Sequence, residues 1–402
     1  MSKTKAKIIY CDYAASAPMA PEVIKVVTKN LKNNFANASS LHFLGQQARA
    51  TLEESRQKIA DCLNCRPINL VFTSGGTEGN NLAINGVLER LTQTGWSPKK
   101  IHLITSRLEH SSILEVFHKW EKLGAEVTYL PVLKNGLIDT KDLRQALRPN
   151  TVLVSLAFAN SEIGVIQPIK YLAKEIRHAR KENKIKVADD ELKFPYFHVD
   201  ASQSQWLLGT NTNDLGADLI VFDGQKMLGP KGVGVVFLRS GVKIASQILG
   251  GGQEQGRRAG TENVPLIAGL AQAFVLAEKS RQKIAPEILK VQKYFFQQLK
   301  KKFPKTMING DLESRLPNNV NFSVPGMNTD FVVFQLAEAG IICSTKSACE
   351  QKEIGSNVVK QIETVSGQAQ STLRFTFGPE FSKKEVDRLI DLLRTKIIWE
   401  KI

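Results

Sequence analysis

The chain predicts an α/β fold built on a mainly parallel, seven-stranded sheet in a large domain, with a smaller α+β domain beside it. Three observations carry that expectation. Between residues 67 and 240, short β-branched runs alternate with longer amphipathic segments, the pattern of strands joined by crossover helices. At 402 residues the chain exceeds one ordinary core, so a second unit is expected. Beyond residue 256 the alternation stops, and a long helical stretch leads into a mixed pattern. We therefore assign 16–255 to the large domain, and 1–15 with 256–402 to the small one.

Seven runs read as strands of the sheet: NLVFTS, KIHLITS, AEVTYLPV, TVLVSLAF, FHVD, DLIVF and GVGVVFLR. They are short, rich in Val, Ile, Phe and Thr, and end in polar or glycine punctuation. Between them AINGVLERLTQ, SSILEVFHKWEKLG, DLRQALR and IKYLAKEIRHARKEN repeat apolar residues at helical spacing. The charged stretch at 181–196 reads as a surface excursion ahead of a buried strand. In the second unit, NNVNFSV, GIICS and TLRFTF read as strands and KKEVDRLIDLLRTKII as a last helix.

Composition narrows the function classes. Hydrophobic residues make up 42%, a globular value, and no apolar run is long enough to span a bilayer. The start, MSKTKAKIIYCDY, lacks a secretory cleavage pattern, so a cytoplasmic protein is expected. Five cysteines form no disulfide framework. The pair Cys62 and Cys65 has no second pair to complete a zinc site, and no metal is expected. The net charge of +15 is spread over helical faces without arginine-rich arms, which argues against specific nucleic-acid binding.

The polar motifs fall at strand ends, where α/β sheets collect their sites. TSGGTEGNN at 73–81 sets glycines and Thr77 between a strand and a helix, where free N–H groups and the positive helix end suit a phosphate. HVDASQ at 198–203 puts Asp200 at the end of another strand, a place that calls for a cationic group such as a protonated pyridine nitrogen. His110 in LEHSS is an aromatic-stacking candidate, and Lys226 follows the strand run DLIVF beside glycines. Together they supply the Schiff-base lysine, ring-nitrogen carboxylate and phosphate cup that a pyridoxal 5'-phosphate enzyme needs.

The ordered series IYCDYAASAP, NASSLHFLGQQA, TSGGTEGNNLAI, EHSSIL, ANSEIGVIQPI, HVDASQ, QKMLGPKGVG, GGGQEQGRRAGTEN, SACE and TLRFTFG resembles the cysteine desulfurases of the class V aminotransferase family, of fold type I. The likeness runs nearly end to end. It implies that Lys226 holds the cofactor and moves the substrate's Cα proton, that Asp200 keeps the pyridine nitrogen protonated, that Gln203 contacts the ring hydroxyl and that His110 stacks on the ring. Gly76 and Thr77 hold the phosphate, with Thr261 arriving from the partner subunit of a homodimer. Arg374 clamps the carboxylate of L-cysteine. The resemblance further implies that Cys349 attacks the substrate sulfur, becomes a persulfide and passes sulfur to an acceptor protein, an iron-sulfur scaffold or a sulfur carrier serving tRNA thiolation. Cys343, inside an apolar run, is a packing thiol.

Four positions depart from the family pattern. Asp223 and Gln225 stand where the family usually has serine and histidine against the phosphate or the Schiff base. Ser161 replaces an asparagine that touches cofactor and substrate, and Lys346 replaces a loop glycine. A carboxylate beside a phosphate is repulsive by about a kcal/mol or more unless Arg257 or Arg258 neutralises it, which predicts weakened cofactor affinity. Three functions therefore stay open: a cysteine desulfurase; selenocysteine lyase or cysteine sulfinate desulfinase on the same scaffold; and a weakly active interaction scaffold.

Overall fold

The computed structural model describes residues 8–182, 193–346 and 355–396. Its main sheet has seven strands: β2 (Leu70–Thr73), β3 (His102–Ser106), β4 (Glu126–Leu130), β5 (Thr151–Ala157), β6 (Tyr196–Asp200), β7 (Leu219–Asp223) and β8 (Gly234–Leu238), in the spatial order β2-β8-β7-β6-β5-β3-β4. Only β8 runs against its neighbours; the other pairings are parallel. The expected mainly parallel, seven-stranded sheet is present, and the α/β class with it.

The strands read as continuous apolar runs because both faces are covered. Alternate residues sort into two cores: Val71, Leu153, Val221 and Val236 pack with Leu82, Leu88, Ile113 and Phe117 of α3 (Gly76–Gln93) and α4 (Ser111–Lys122). Their neighbours Phe72, Val154, Ile220 and Val235 pack on the opposite side with Leu172 and Ile176 of α6 (Ile169–Glu182) and Phe274 of α8 (Val264–Lys302). Short α5 (Thr140–Ala146) and α7 (Thr212–Leu215) complete the connections. Among the described residues no helix is long and apolar enough to cross a membrane.

Two helices precede the sheet, α1 (Pro21–Asn33) and α2 (Phe43–Leu63). Neither was expected. In α1 the start signals are present, Pro21 at N1 and Glu22 in the first turn. Leu31 and Ile24, however, stay exposed, so apolar residues occur outside one stripe. In α2 the buried face uses Gly45, Ala48, Ser55 and Arg56 beside Leu52 and Ile59, too polar to show as an apolar period.

The 39-residue α8 ties the chain's two parts together. Val23 and Val27 of α1 pack at Gly269 near its start. Phe295 meets Phe375 near its end, with ring centroids 5.6 Å apart. That end covers an antiparallel sheet of β9 (Met307–Ile308), β10 (Asn319–Ser323) and β12 (Thr372–Thr376), flanked by α9 (Thr329–Glu338), α10 (Asn357–Ile362) and α11 (Lys383–Lys396). The chain start joins the same part: β1 (Ile9–Tyr10) pairs in parallel with β11 (Ile341–Ile342), and Asp12 bridges to Thr376. The charged excursion falls mostly on 183–192, outside the described residues.

Candidate active site

One cleft opens at the carboxyl ends of β5, β6 and β7. Its lining includes Gly76, Thr77, His110, Ser161, Asp200, Gln203, Asp223, Gln225, Lys226 and Arg374. Ten of the twelve residues singled out from the sequence thus share one cavity. Thr261 does not: it is exposed beside a separate concavity with Ser74, Gly232 and Arg258. Cys349 lies outside the described residues.

Lys226 ends a single helical turn, Gly224–Lys226, that follows β7. Its Nζ donates to the carbonyls of Ala14, at 2.8 Å, and Ala15, at 2.5 Å. Gln203 Nε2 donates to the same Ala14 oxygen at 3.0 Å. The segment after β1 is thereby held over the mouth of the main sheet. Lys231, the neighbouring lysine in the GPKG turn, is exposed and lines no part of the cleft.

Asp200 terminates β6 with both carboxylate oxygens engaged. Oδ1 accepts from the Ser202 N–H and Oδ2 from Asn80 Nδ2, each at 2.9 Å. Asn80 Nδ2 also reaches Ser112 Oγ at 2.9 Å. Ser112 in turn contacts His110, whose Nδ1 accepts from the Ser112 N–H at 3.1 Å and caps α4. His110 is therefore fixed in orientation by the helix it starts.

Glu109, the next residue back, is fully buried. Its Oε1 accepts from Ser106 Oγ at 2.8 Å while Oε2 has no partner. Burial, reinforced by the nearby Asp200 charge, pushes its carboxyl up to about 8. At neutral pH Glu109 therefore keeps its proton.

The cup is the start of α3. Gly75 takes φ 151° and ψ −173°, a backbone region that glycine alone occupies comfortably. It turns the chain so that the first N–H groups of α3 face the cleft with no side-chain cap. A Cβ on Gly76 would lie 3.1 Å from Ser202 Oγ and 3.3 Å from Asp223 Oδ2, which places both groups at the cup. The Ser202 hydroxyl is buried without a partner. Asp223 is instead bonded by Gln225, from N to Oδ1 at 3.3 Å and from Nε2 to Oδ2 at 3.1 Å. The two arginines considered as its counter-charges are engaged elsewhere: Arg257 with the Ile68 carbonyl, Arg258 with Glu78.

Arg374 comes from β12 and is 1% exposed. Its Nη2 donates to Asp12 Oδ1 at 2.8 Å and Nη1 to the Ser161 carbonyl at 3.3 Å, while Nε is buried without a partner. A buried guanidinium at the edge of a cleft is no surface charge, and its planar fork has the geometry to meet a carboxylate. Cys343, beside it, is buried, and its thiol is pushed up to about 12 by burial, with Asp12 adding to the effect, as befits a packing thiol. Asn80, Ser202 and Asp12 were not singled out from the sequence. All three stand inside quoted motifs, but their bonds join segments over a hundred residues apart or depend on burial.

A helix N-terminus, a lysine and a strand-end carboxylate converge on one α/β crevice, the place where such sheets bind ligands, with donors suited to an anionic group. The comparisons agree: the Aminotransferase class-V model matches residues 9–389, and the chain belongs to that family. It is 39% identical over 386 residues to "Cysteine desulfurase IscS" of Dictyoglomus turgidum, covering 96% of this chain and 93% of that one. It is 37% identical to the protein of the same name in Methanosarcina thermophila, over 97% and 92%. A solved "NIFS-LIKE PROTEIN" superposes with TM-score 0.86 at 29% identity, over 96% and 97%. The NifS-like protein of Rickettsia africae does so with 0.82 at 26%, over 96% and 98%. The neighbours place the fold in type I.

Proposed function

We propose that the chain is a pyridoxal phosphate-dependent cysteine desulfurase that removes sulfur from L-cysteine, leaves alanine and receives the sulfur on Cys349. The observation that carries the reading is the convergence of Lys226, Asp200 and Arg374 on one cleft, from three elements distant in sequence.

The residues present fit the cofactor. Asp200, held by two donors, suits a protonated ring nitrogen, and His110 and Gln203 flank the place of a ring. The uncapped N–H groups of α3 and the unpartnered Ser202 hydroxyl suit a phosphate. Asp223 is the discordant group. When bound, the cofactor supplies the electron sink that loosens the substrate's bonds around Cα.

The remaining work belongs to the chain. Arg374 exchanges Asp12 for the substrate carboxylate, and this fixes which bonds of the amino acid face Lys226. Lys226 Nζ moves the proton at Cα. The Cys349 thiolate attacks the substrate sulfur; an S–S bond forms as the Cβ–S bond breaks, the electron pair stays with carbon, and a proton completes the methyl group of alanine. An acceptor thiol later removes the sulfur. Cys343, with its raised pKa, is no competitor for this step.

A homodimer supplies Thr261 to the partner's cup. Supporting this, the segment 24–43 leaves Ile24, Leu31, Phe35, Leu41 and Phe43 exposed. A cytoplasmic setting, which keeps thiols reduced, suits sulfur delivery to an iron-sulfur scaffold or sulfur carrier.

The test is alanine production by purified holoprotein offered L-cysteine, L-selenocysteine and L-cysteine sulfinate separately, with a thiol reductant. Alanine and sulfide in equal amounts from L-cysteine, lost in Lys226→Ala, support the reading. Alanine from selenocysteine or the sulfinate alone would move the function to the lyase or desulfinase, and none from any substrate would leave an interaction scaffold.

A further inference from the structure

The phosphate cup contains a carboxylate, and this changes the charge state of whatever phosphate it holds. We propose that the cup binds the phosphate ester as its monoanion, with the remaining P–OH donating to Asp223. The inference rests on the pyridoxal phosphate reading above and goes beyond it.

Besides capping the turn Gly224–Lys226, Asp223 presents its carboxylate to the cup. Its oxygens stand 3.7 and 3.9 Å from the Cβ position of Gly75, and one stands 3.3 Å from that of Gly76, so an anion seated on the first N–H groups of α3 is beside them. Gln225 binds one lone pair of each oxygen, which holds the carboxylate in place and leaves acceptor capacity toward the cup. Because the residue is buried, water screens little of its charge.

The opposing effects can be ranked. The end of α3 carries about half a positive charge, which favours a dianion, and Ser202 adds a neutral donor. Asp223 places a carboxylate 3.3 Å from the Cβ position of Gly76, beside any anion seated on those N–H groups. One proton on the phosphate halves the repulsion and converts what remains into a charge-assisted O–H···O bond. The second ionisation of a phosphate ester lies near pH 6, so a modest upward push keeps that proton at neutral pH. The other charged and titratable groups facing the cleft are Lys226 on the turn after β7, Asp200 on β6, His110 before α4 and Arg374 on β12. Behind the cup, Glu78 of α3 is paired with Arg258 at 2.8 Å, and Glu254 and Glu262 lie beside that pair. Asp223 differs from all of these in facing Gly76 directly.

The measurement is phosphorus NMR of the holoprotein between pH 6 and 9. The bound resonance of the wild type should titrate with a midpoint above 7, while Asp223→Asn, which keeps the shape and the cap, should stay at the dianion position throughout. In parallel, cofactor binding to the apoproteins should favour Asp223→Asn about tenfold more at pH 8.5 than at pH 6.5. A wild-type resonance fixed at the dianion position overturns the proposal while leaving the function intact. A protein that retains no phosphorus signal after gel filtration overturns the functional reading and this proposal with it. The wild-type titration decides alone should the variant fail to fold.

Discussion

Arg374 is among the most buried charged side chains of the molecule, and its two NH2 groups already grip oxygens of Asp12 and Ser161. Exchanging one carboxylate for another costs little desolvation, so a substrate carboxylate, as the proposed function requires, could replace Asp12 without exposing a bare charge. Arg374→Lys keeps the charge but loses the planar fork. It should raise KM for L-cysteine by about 10- to 100-fold, a loss of roughly 1.5–3 kcal/mol, with the absorbance of the bound cofactor unchanged. Steady-state kinetics showing an unaltered KM and a lower kcat would remove Arg374 from substrate binding. Glu109 offers a test of the buried charge balance. Its folded pKa is raised from 4.5 to about 8, so the stability it contributes is complete below pH 4.5 and is lost as pH rises through about 8. The buried His102 and His198, held down to about 4 by burial, act below pH 6.5. Between pH 6.5 and 8 Glu109→Gln should therefore gain on the wild type by up to about 1.4 kcal/mol per pH unit, read from urea midpoints; a constant offset would contradict the assignment. At this scale the sequence exposed residues whose chemistry is odd for their place, Lys226 after a strand and Asp200 at a strand end. Asn80 and Ser202 escaped because nothing odd attaches to an asparagine on a helix or a serine in a turn until their partners arrive.

The turn after β5 shows how elements set the site. Glu162, 1% exposed, follows Ser161, and its carbonyl accepts from Asn319 and Asn321 of β10 at 2.9 and 3.0 Å. Its Oε2 accepts from Ser356 Oγ at 2.5 Å, and the same hydroxyl caps α10 through the Val359 N–H. Gly164, at φ 71°, has Asn319 Cγ 2.5 Å from where a Cβ would sit, so the turn and β10 approach more closely than a side chain permits. The cleft wall bearing Ser161 is thus bolted to the sheet bearing Arg374. Ser356→Ala removes both the cap and a bond to a buried carboxylate, and should cost about 2 kcal/mol in denaturant titration; a cost below about half a kcal/mol would show that the junction is held elsewhere. The strands of the main sheet were legible because burial on both faces leaves only apolar, β-branched residues. Helices α1 and α2 were not, since exposed Ile24, Leu31 and Phe43 and buried Arg56 and Ser55 invert the pattern on which a sequence reading depends. Arg56 is buried because Glu254 pairs with it at 2.7 Å, from a loop two hundred residues away.

Over the whole molecule, α8 and the β1–β11 pair connect the two ends of the chain, so the cleft lies between parts that are far apart in sequence but share one core. The excess of 15 positive charges favours approach by an acidic acceptor. The central claim is sulfur transfer to one particular thiol among several. Burial pushes Cys62 to about 11, and Cys65 and Cys343 to about 12, and Cys11 is raised as well; each is a poor nucleophile near neutral pH. That leaves Cys349. The most direct measurement is peptide mass spectrometry of the holoprotein after exposure to L-cysteine without reductant. The account predicts one added sulfur atom on the peptide containing Cys349, and in Cys349→Ser no adduct and no alanine release. Sulfur on Cys11, Cys62, Cys65 or Cys343, or full alanine release by Cys349→Ser, would contradict it.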